Sequence, residues 1–345
     1  MAIEYNPKIS FIIPTLNSER TLEKCLKSIE VQSYPKEKIE IVIIDGGSTD
    51  KTLEIVAHFR GLSPVTYCLV PNPLKTGESG KAIGIDAATG ELLAFVDSDN
   101  VLVGENWLKK MVLPLRDNTI FASEALRWEY AKEDSTIDRY CALTGINDPI
   151  CLFLGNYDRL SYLTGKWTGL KVVSEIDKGD YLEVVLDETS VPTMGANGFL
   201  LRRHTLKEVN YTPYYFDNDI VFELVKKGFT KIGRPKIGIR HYFCDNTKTY
   251  MRKQCRRIRD YFYFKRKKMR TFEHKIKSFK FIKFVIYTLL VFPLLLQSAR
   301  GFYKKRDRAW FFHPIACWVT FLVYSFATIQ NIIDPGMLSR EKWRQ

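Results

Sequence analysis

The stretch Leu92-Leu93-Ala94-Phe95-Val96-Asp97-Ser98-Asp99 decides the fold. Five apolar residues in a row read as a strand buried on both faces, and the acids mark its carboxyl end. In open α/β sheets, ligands gather outside the carboxyl ends of the strands. Two carboxylates one residue apart at such an edge offer hard oxygen ligands, suited to Mg²⁺ or Mn²⁺ beside a phosphate. The pattern recurs upstream, where Ile41-Val42-Ile43-Ile44 ends in Asp45 and runs into the turn Gly46-Gly47-Ser48-Thr49-Asp50. Two acidic strand ends in one half of the chain point to an enzyme that handles a metal and a nucleotide.

Outward from these two runs the chain alternates. Ile9-Ser10-Phe11-Ile12-Ile13 reads as a first strand broken by Pro14, and Leu22, Cys25, Leu26 and Ile29 then recur at helical spacing. Strand 39–44, helix 49–59, strand 64–70, helix 79–88 and strand 92–96 complete a βαβαβ series. That series predicts a parallel sheet with right-handed crossovers. Residues 107–115 predict another helix. After a stretch without clear period, Asp217-Asn218-Asp219 opens a helix that Gly228 ends.

The net charge of +13 is not spread evenly. Residues 252–283 hold 14 Lys/Arg against Asp260 and Glu273, whereas residues 1–251 carry 30 basic and 34 acidic residues. The basic segment adjoins the most apolar part of the chain, which fits an anionic membrane surface better than a nucleic acid. Within it Tyr250, Ile258, Tyr261, Phe262 and Phe264 offer apolar anchors. His313–Ile333 has no charged side chain over 21 residues, long enough to span a bilayer core of ~30 Å. Phe281–Ala299 is a weaker candidate, with Lys283 near its start and Pro293 inside it. The 298–310 loop carries five basic residues and one acid, which conflicts with an extracytoplasmic position under the positive-inside rule. A re-entrant hairpin or shallow interfacial helices remove that conflict. Seven cysteines without CxxC spacing read as reduced residues on the cytosolic side, and the opening residues run straight into a strand without a signal-peptide pattern.

Pro14-Thr15-Leu16-Asn17, Ser28-Ile29-Glu30-Val31-Gln32-Ser33-Tyr34-Pro35, Ile44-Asp45-Gly46-Gly47-Ser48-Thr49-Asp50-Lys51-Thr52 and Asp97-Ser98-Asp99 resemble, in register, the family 2 glycosyltransferases of GT-A fold. The likeness covers about residues 8–100 and returns near 195–228. It implies a GT-A domain over residues 1–248, basic amphipathic interface helices over 249–278, and membrane segments with a short tail over 279–345.

By this resemblance Pro14, Thr15, Leu16, Asn17, Asp45, Asp97 and Ser98 line the donor site. Lys81 stands where relatives carry Arg, and Arg257, in Gln254-Cys255-Arg256-Arg257, stands in a partial Gln-x-x-Arg motif whose Trp is replaced by Ile258. Asp99, with Asp97 and His241, is expected to bind Mg²⁺ or Mn²⁺. Gly195, Ala196 and Asn197 line the acceptor side. Asp217 falls at the general-base position, with Asp219 its alternative, and a helix N-cap is the purely structural role open to Asp217.

The resulting expectation is inverting, metal-dependent sugar transfer from a UDP- or GDP-linked donor to a hydroxyl of a lipid-linked saccharide, on the cytosolic face of the cell membrane. Transfer to a polyprenyl or dolichyl phosphate is the alternative. A phosphate oxygen is already ionised and needs no base, so an acid at position 217 favours the hydroxyl. A Rossmann dehydrogenase is disfavoured because no GxGxxG follows the first strand. A basic nucleic-acid-binding or membrane scaffold is the non-enzyme alternative, and no nucleic-acid partner is expected.

Overall fold

The computed structural model describes residues 5–273, 278–333 and 336. The strands are β1 Ile9–Thr15, β2 Ile39–Asp45, β3 Thr66–Pro71, β4 Leu92–Phe95, β5 Asn100–Leu102, β6 Ile120–Glu124, β7 Arg127–Glu129, β8 Ser174–Asp177, β9 Tyr181–Val185, β10 Phe199–Arg202, β11 Lys231–Pro235 and β12 Gly238–His241. The α-helices are α1 Leu22–Glu30, α2 Thr52–Leu62, α3 Gly77–Ala87, α4 Trp107–Val112, α5 Thr136–Thr144, α6 Pro149–Leu154, α7 Asp217–Lys226, α8 Thr247–Arg266, α9 Ser278–Leu290, α10 Phe292–Lys304 and α11 His313–Ile333. The chain divides into two compact units. Among the described residues, one holds those up to Leu126 with Lys171–His241; the other holds Arg127–Leu170 and 242–336. The sequence places the first boundary near residue 248 and groups 127–170 with the N-terminal domain.

In the first unit, nine strands among the described residues form one sheet in the order β3-β2-β1-β4-β10-β6-β11-β9-β8. The expected parallel part is present: β1 lies between β2 and β4, both parallel to it, with Thr15 opposite Asp45 and Ile12 opposite Phe95. β10 then runs antiparallel to both β4 and β6, which makes the sheet mixed. β2 is buried at all seven positions, and the charge inside it, Glu40, accepts from Ser10, Thr89 and the Thr89 backbone, while Asp45 stands at its carboxyl end. Each fully buried Ile, Leu or Phe in β1, β2 and β4 contributes about 1.5–3 kcal/mol relative to exposure.

Helix α3 starts at Thr76, whose side chain accepts from the Ser79 N–H. It lies tight on β1 and β2 because Gly84 has no side chain: a Cβ there would stand 2.6 Å from Ile12 Cγ2 and 2.7 Å from Ile44 Cδ1. That close approach carries Lys81, on the same helix, into the carboxyl edge of the sheet. A short antiparallel pair, β5 with β12, sets Asn100 opposite His241.

The second unit contains the basic helix and the apolar helices. α8 begins at Asn246, whose side chain accepts from the Thr249 N–H. Its Tyr250 and Phe264 are buried, so neither serves as a lipid anchor; Tyr250 instead meets Phe312 edge-on at 5.7 Å. The apolar run 281–299 is not one helix. α9 and α10 meet at 94° around Val291, a β-branched residue at φ +60°, with Pro293 in the first turn of α10. α11 is a continuous helix over the 21 residues expected, and it is the one single helix among the described residues long and apolar enough to cross a membrane. The expected tail after residue 333 lies, Gly336 apart, outside the described residues. All seven cysteines are unbridged.

Candidate active site

The first-unit residues named from sequence gather at the carboxyl edge of β1, β2 and β4. Asp45 ends β2 and organises the turn after it. Its Oδ2 accepts from the Gly47 and Ser48 N–H groups at 2.8 and 2.9 Å, and its Oδ1 from Ser48 Oγ (2.6 Å) and Thr15 Oγ1 (3.1 Å). Asn17 ties the two loops together: its N–H donates to Ser48 Oγ (2.9 Å) and its Oδ1 accepts from Thr49 N (2.8 Å). Thr15, Asn17 and Asp45 therefore form one preorganised rim.

Beyond β4 the acidic triplet splits into three environments. Asp97 is about one third exposed and faces Lys81 Nζ at 3.9 Å. Ser98 is fully buried, its hydroxyl 3.0 Å from Ser18 Oγ, so its side chain holds the loop. Asp99 is buried beside His241, whose Nε2 lies 3.3 Å from Asp99 Oδ1. Asn100 Nδ2 reaches both Asp99 Oδ1 (3.4 Å) and Asn197 Oδ1 (3.1 Å), linking the Asp99 corner to the expected acceptor side.

Asp217 is the first residue of α7, but its side chain does not cap the helix; the N-cap is Phe216. Both carboxylate oxygens accept from Lys81 Nζ, at 2.8 and 2.9 Å. Burial raises the Asp217 pKa, Lys81 opposes that, and the net is a rise to about 6. Burial alone would lower Lys81, but Asp217 and Asp97 outweigh it and hold the ammonium charged well above the usual lysine range. Asp219, the alternative base, is 4% exposed.

Gly195 touches Asp217 directly. It sits at φ +107°, and a Cβ there would stand 3.0 Å from the Asp217 carbonyl oxygen and 3.1 Å from its Cβ. The Gly195 N–H donates to Glu124 Oε1 at 3.2 Å, and Glu124 pairs with Arg234 where both side chains are wholly buried. Tyr215, fully buried and stacked on Phe95 with ring centroids 4.5 Å apart, fixes the approach to α7. Sequence reasoning missed Asn100, Glu124, Arg234 and Tyr215; the lone acid Glu124 at the end of the apolar run of β6 was the available signal. Arg257 belongs to the second unit, where Nη1 donates to Gln254 Oε1 (2.7 Å) and lies 3.7 Å from Asp148.

The donor set suits a divalent cation in a particular way. Among the described residues no group of three His, Cys, Asp or Glu side chains converges, which corrects the expected triple of Asp97, Asp99 and His241. Lys81 attracts Asp97, and the remaining pair, Asp99 and His241, offers two ligands. Mg²⁺-like ions are commonly held by one or two protein groups, with water and substrate phosphate completing the shell, so the pair fits such an ion.

Residues 10–140 match the family described as "Glycosyl transferase family 2", and the chain carries a domain of that family on a GT-A-like fold. It is 28% identical over 141 residues to glycosyltransferase AglE of Haloferax volcanii, covering 41% of this chain and 46% of that one. It is 35% identical over 98 residues to the GalNAc(5)-diNAcBac-PP-undecaprenol beta-1,3-glucosyltransferase of Campylobacter jejuni, covering 28% and 31%. The chain thus spans less than half the length of these relatives. Among solved structures it resembles mannosyltransferase PcManGT from Pyrobaculum calidifontis, in complex with GDP-Man and Mn²⁺, with TM-score 0.53 and 18% identity, covering 96% of this chain and 88% of that one. At that identity the likeness establishes the fold alone.

Proposed function

We propose that the protein transfers a sugar, with inversion, from a nucleotide-sugar donor to a hydroxyl of a lipid-linked saccharide at a membrane surface. The observation that carries this reading is the Asp217 carboxylate, held by Lys81 against Gly195, with burial pushing its pKa up to about 6. A carboxylate offers about four acceptor positions; Lys81 occupies two, leaving room for an acceptor hydroxyl. As that oxygen bonds to the anomeric carbon and the bond to the diphosphate breaks, its proton passes to Asp217. Lys81 stays charged and keeps the base from drifting. The rim of Thr15, Asn17 and Asp45 receives the nucleoside, and Asn100 and Asn197 hold the acceptor side in register with Asp99. Asp99 and His241 would hold the divalent ion, which when bound offsets charge on the departing diphosphate.

The Campylobacter relative, by its name, acts on a PP-undecaprenol-linked saccharide, and a Methanococcus voltae relative, 56% identical over 52 residues, on a dolichyl phosphate-linked sugar. Both support a lipid-borne acceptor. The test is an incubation of membranes containing the protein with a panel of UDP- and GDP-sugars and Mn²⁺, with and without lipid-linked saccharides. Nucleoside diphosphate release that requires such an acceptor supports the reading. Release driven equally well by a bare polyprenyl phosphate would replace it.

A further inference from the structure

Of the apolar helices of the second unit, α9 and α10 are short and bent, and α11, long enough to span, lies along the charged helix α8. We propose that they enter a single leaflet of an anionic bilayer from one side: α9 and α10 as a bent wedge, and α11 lying along the surface, so that the chain never crosses. This rests on the membrane reading above but not on the transfer chemistry.

Three observations carry it. First, α11 is fastened to charged and polar partners near both ends. His313 Nδ1 and Tyr140 Oη lie 2.8 Å apart on one end, and Arg266 Nη2 donates to Asn331 Oδ1 at 3.0 Å on the other. Between them Tyr324 donates to Asp148 and lies 3.4 Å from Gln254 Oε1. Gln254 and Arg266 belong to α8, which also carries Arg252, Lys253, Arg256, Arg257, Arg259, Asp260 and Lys265. A spanning α11 would draw that charged helix into hydrocarbon, where each such charge is costly.

Second, α9 and α10 are 13 residues each, about 20 Å long, too short to cross singly. Both open ends of their V return to the same unit: Lys280 Nζ donates to Leu154 O (2.6 Å) and Lys304 Nζ to Leu163 O (2.7 Å). The bend between them exposes Leu289, Leu290, Phe292, Leu295 and Leu296, at 47–65%.

Third, the exposed side of α11 is mainly apolar. Ile315, Leu322, Phe326, Ile329, Ile332 and Ile333 are exposed, with Ser325 and Thr328 beside them, while His313, Ala316, Cys317, Thr320 and Ala327 are buried. A helix with one protein face and one apolar face suits an interface plane. The occupant is set by charge: Lys283 at the start of the wedge, and Arg300, Lys305, Arg306 and Arg308 at its end, meet anionic headgroups. With every segment on one side, the five basic residues of 298–310 no longer face the wrong compartment.

The experiment uses the full-length chain in sealed membrane vesicles of both orientations, with Cys68, Cys151 and Cys255 replaced by Ser. Single cysteines are introduced as Lys132→Cys, Arg306→Cys and Gln345→Cys and probed with a membrane-impermeant maleimide. The expected result is labelling of all three from the same side, and of none from the other. Labelling of position 306 from the side opposite 132 means that α9 and α10 cross together. Opposite labelling of position 345 alone means that α11 crosses. Either pattern overturns the proposal while leaving membrane association intact. Recovery of the unsubstituted full-length protein entirely in the soluble fraction would overturn both.

Discussion

Lys81 Nζ donates to both carboxylate oxygens of Asp217, at 2.8 and 2.9 Å, across 136 residues of chain. The contact joins α3, seated on the parallel half of the sheet by Gly84, to the start of α7. It holds the carboxylate away from a helix-cap role and in the place the proposed base would occupy, and the predictions begin from it.

The acid limb of the pH–rate profile should report Asp217. Its pKa is raised from 3.8 to about 6, so the protonated form, which cannot take a proton from the acceptor, persists nearly to neutrality. Transfer at limiting acceptor should rise tenfold per pH unit below about 6 and level off above it. Lys81 lowers that pKa, so Lys81→Met should move the limb to higher pH as well as reduce the rate. A limb that stays in place would detach Lys81 from the base.

Removal of the divalent ion should act through Asp99 and His241. EDTA, or Asp99→Asn, is expected to lower turnover by about a hundredfold or more, with the melting temperature of the apoprotein little changed by the substitution. Added Mn²⁺ should restore the chelated wild type but not the variant. Full activity in EDTA would remove the ion from the account.

Gly195→Ala probes the backbone next to the base. The position needs φ +107°, and the added methyl meets the Asp217 carbonyl at 3.0 Å. Such strain costs about 1–3 kcal/mol. Turnover should fall more than stability does, and thermal melts beside steady-state assays separate the two.

Glu124→Gln tests the buried scaffold behind that glycine. Arg234 would keep its charge with both side chains inaccessible and its carboxylate partner gone. Breaking a buried pair in this way costs about 3–5 kcal/mol. A denaturant titration should show the midpoint drop; an unchanged midpoint would mean that Arg234 finds another partner.

The sequence made much of the first unit legible, and for a physical reason. β1, β2 and β4 are short apolar runs bounded by Pro14, Asp45 and Asp97, and nearest-neighbour pattern suffices to find them. Their acids were recognisable by position. What local pattern could not supply was pairing over distance: Lys81 with Asp217, Glu124 with Arg234, Asn100 with Asn197. The triplet looked like one donor set, yet Lys81 draws Asp97, Ser18 meets Ser98, and Asp99 faces His241. In the run 281–299 Pro293 signalled a break and a re-entrant hairpin was open, but the angle was not legible; the φ of Val291 and the Pro293 that follows set it. Residues 127–170 join the C-terminal helices through long-range contacts that leave no periodic trace.

The most direct test of the central claim compares wild type with Asp217→Asn on two readouts: calorimetric affinity for the nucleotide sugar, and the rate of transfer to the lipid-linked hydroxyl acceptor. General-base removal typically costs about 10²–10⁴-fold in rate. The account predicts a loss of that order, with donor affinity unchanged within about threefold because the residue acts in the transition state. Near-normal transfer by Asp217→Asn, or loss of donor binding in step with rate, would contradict it.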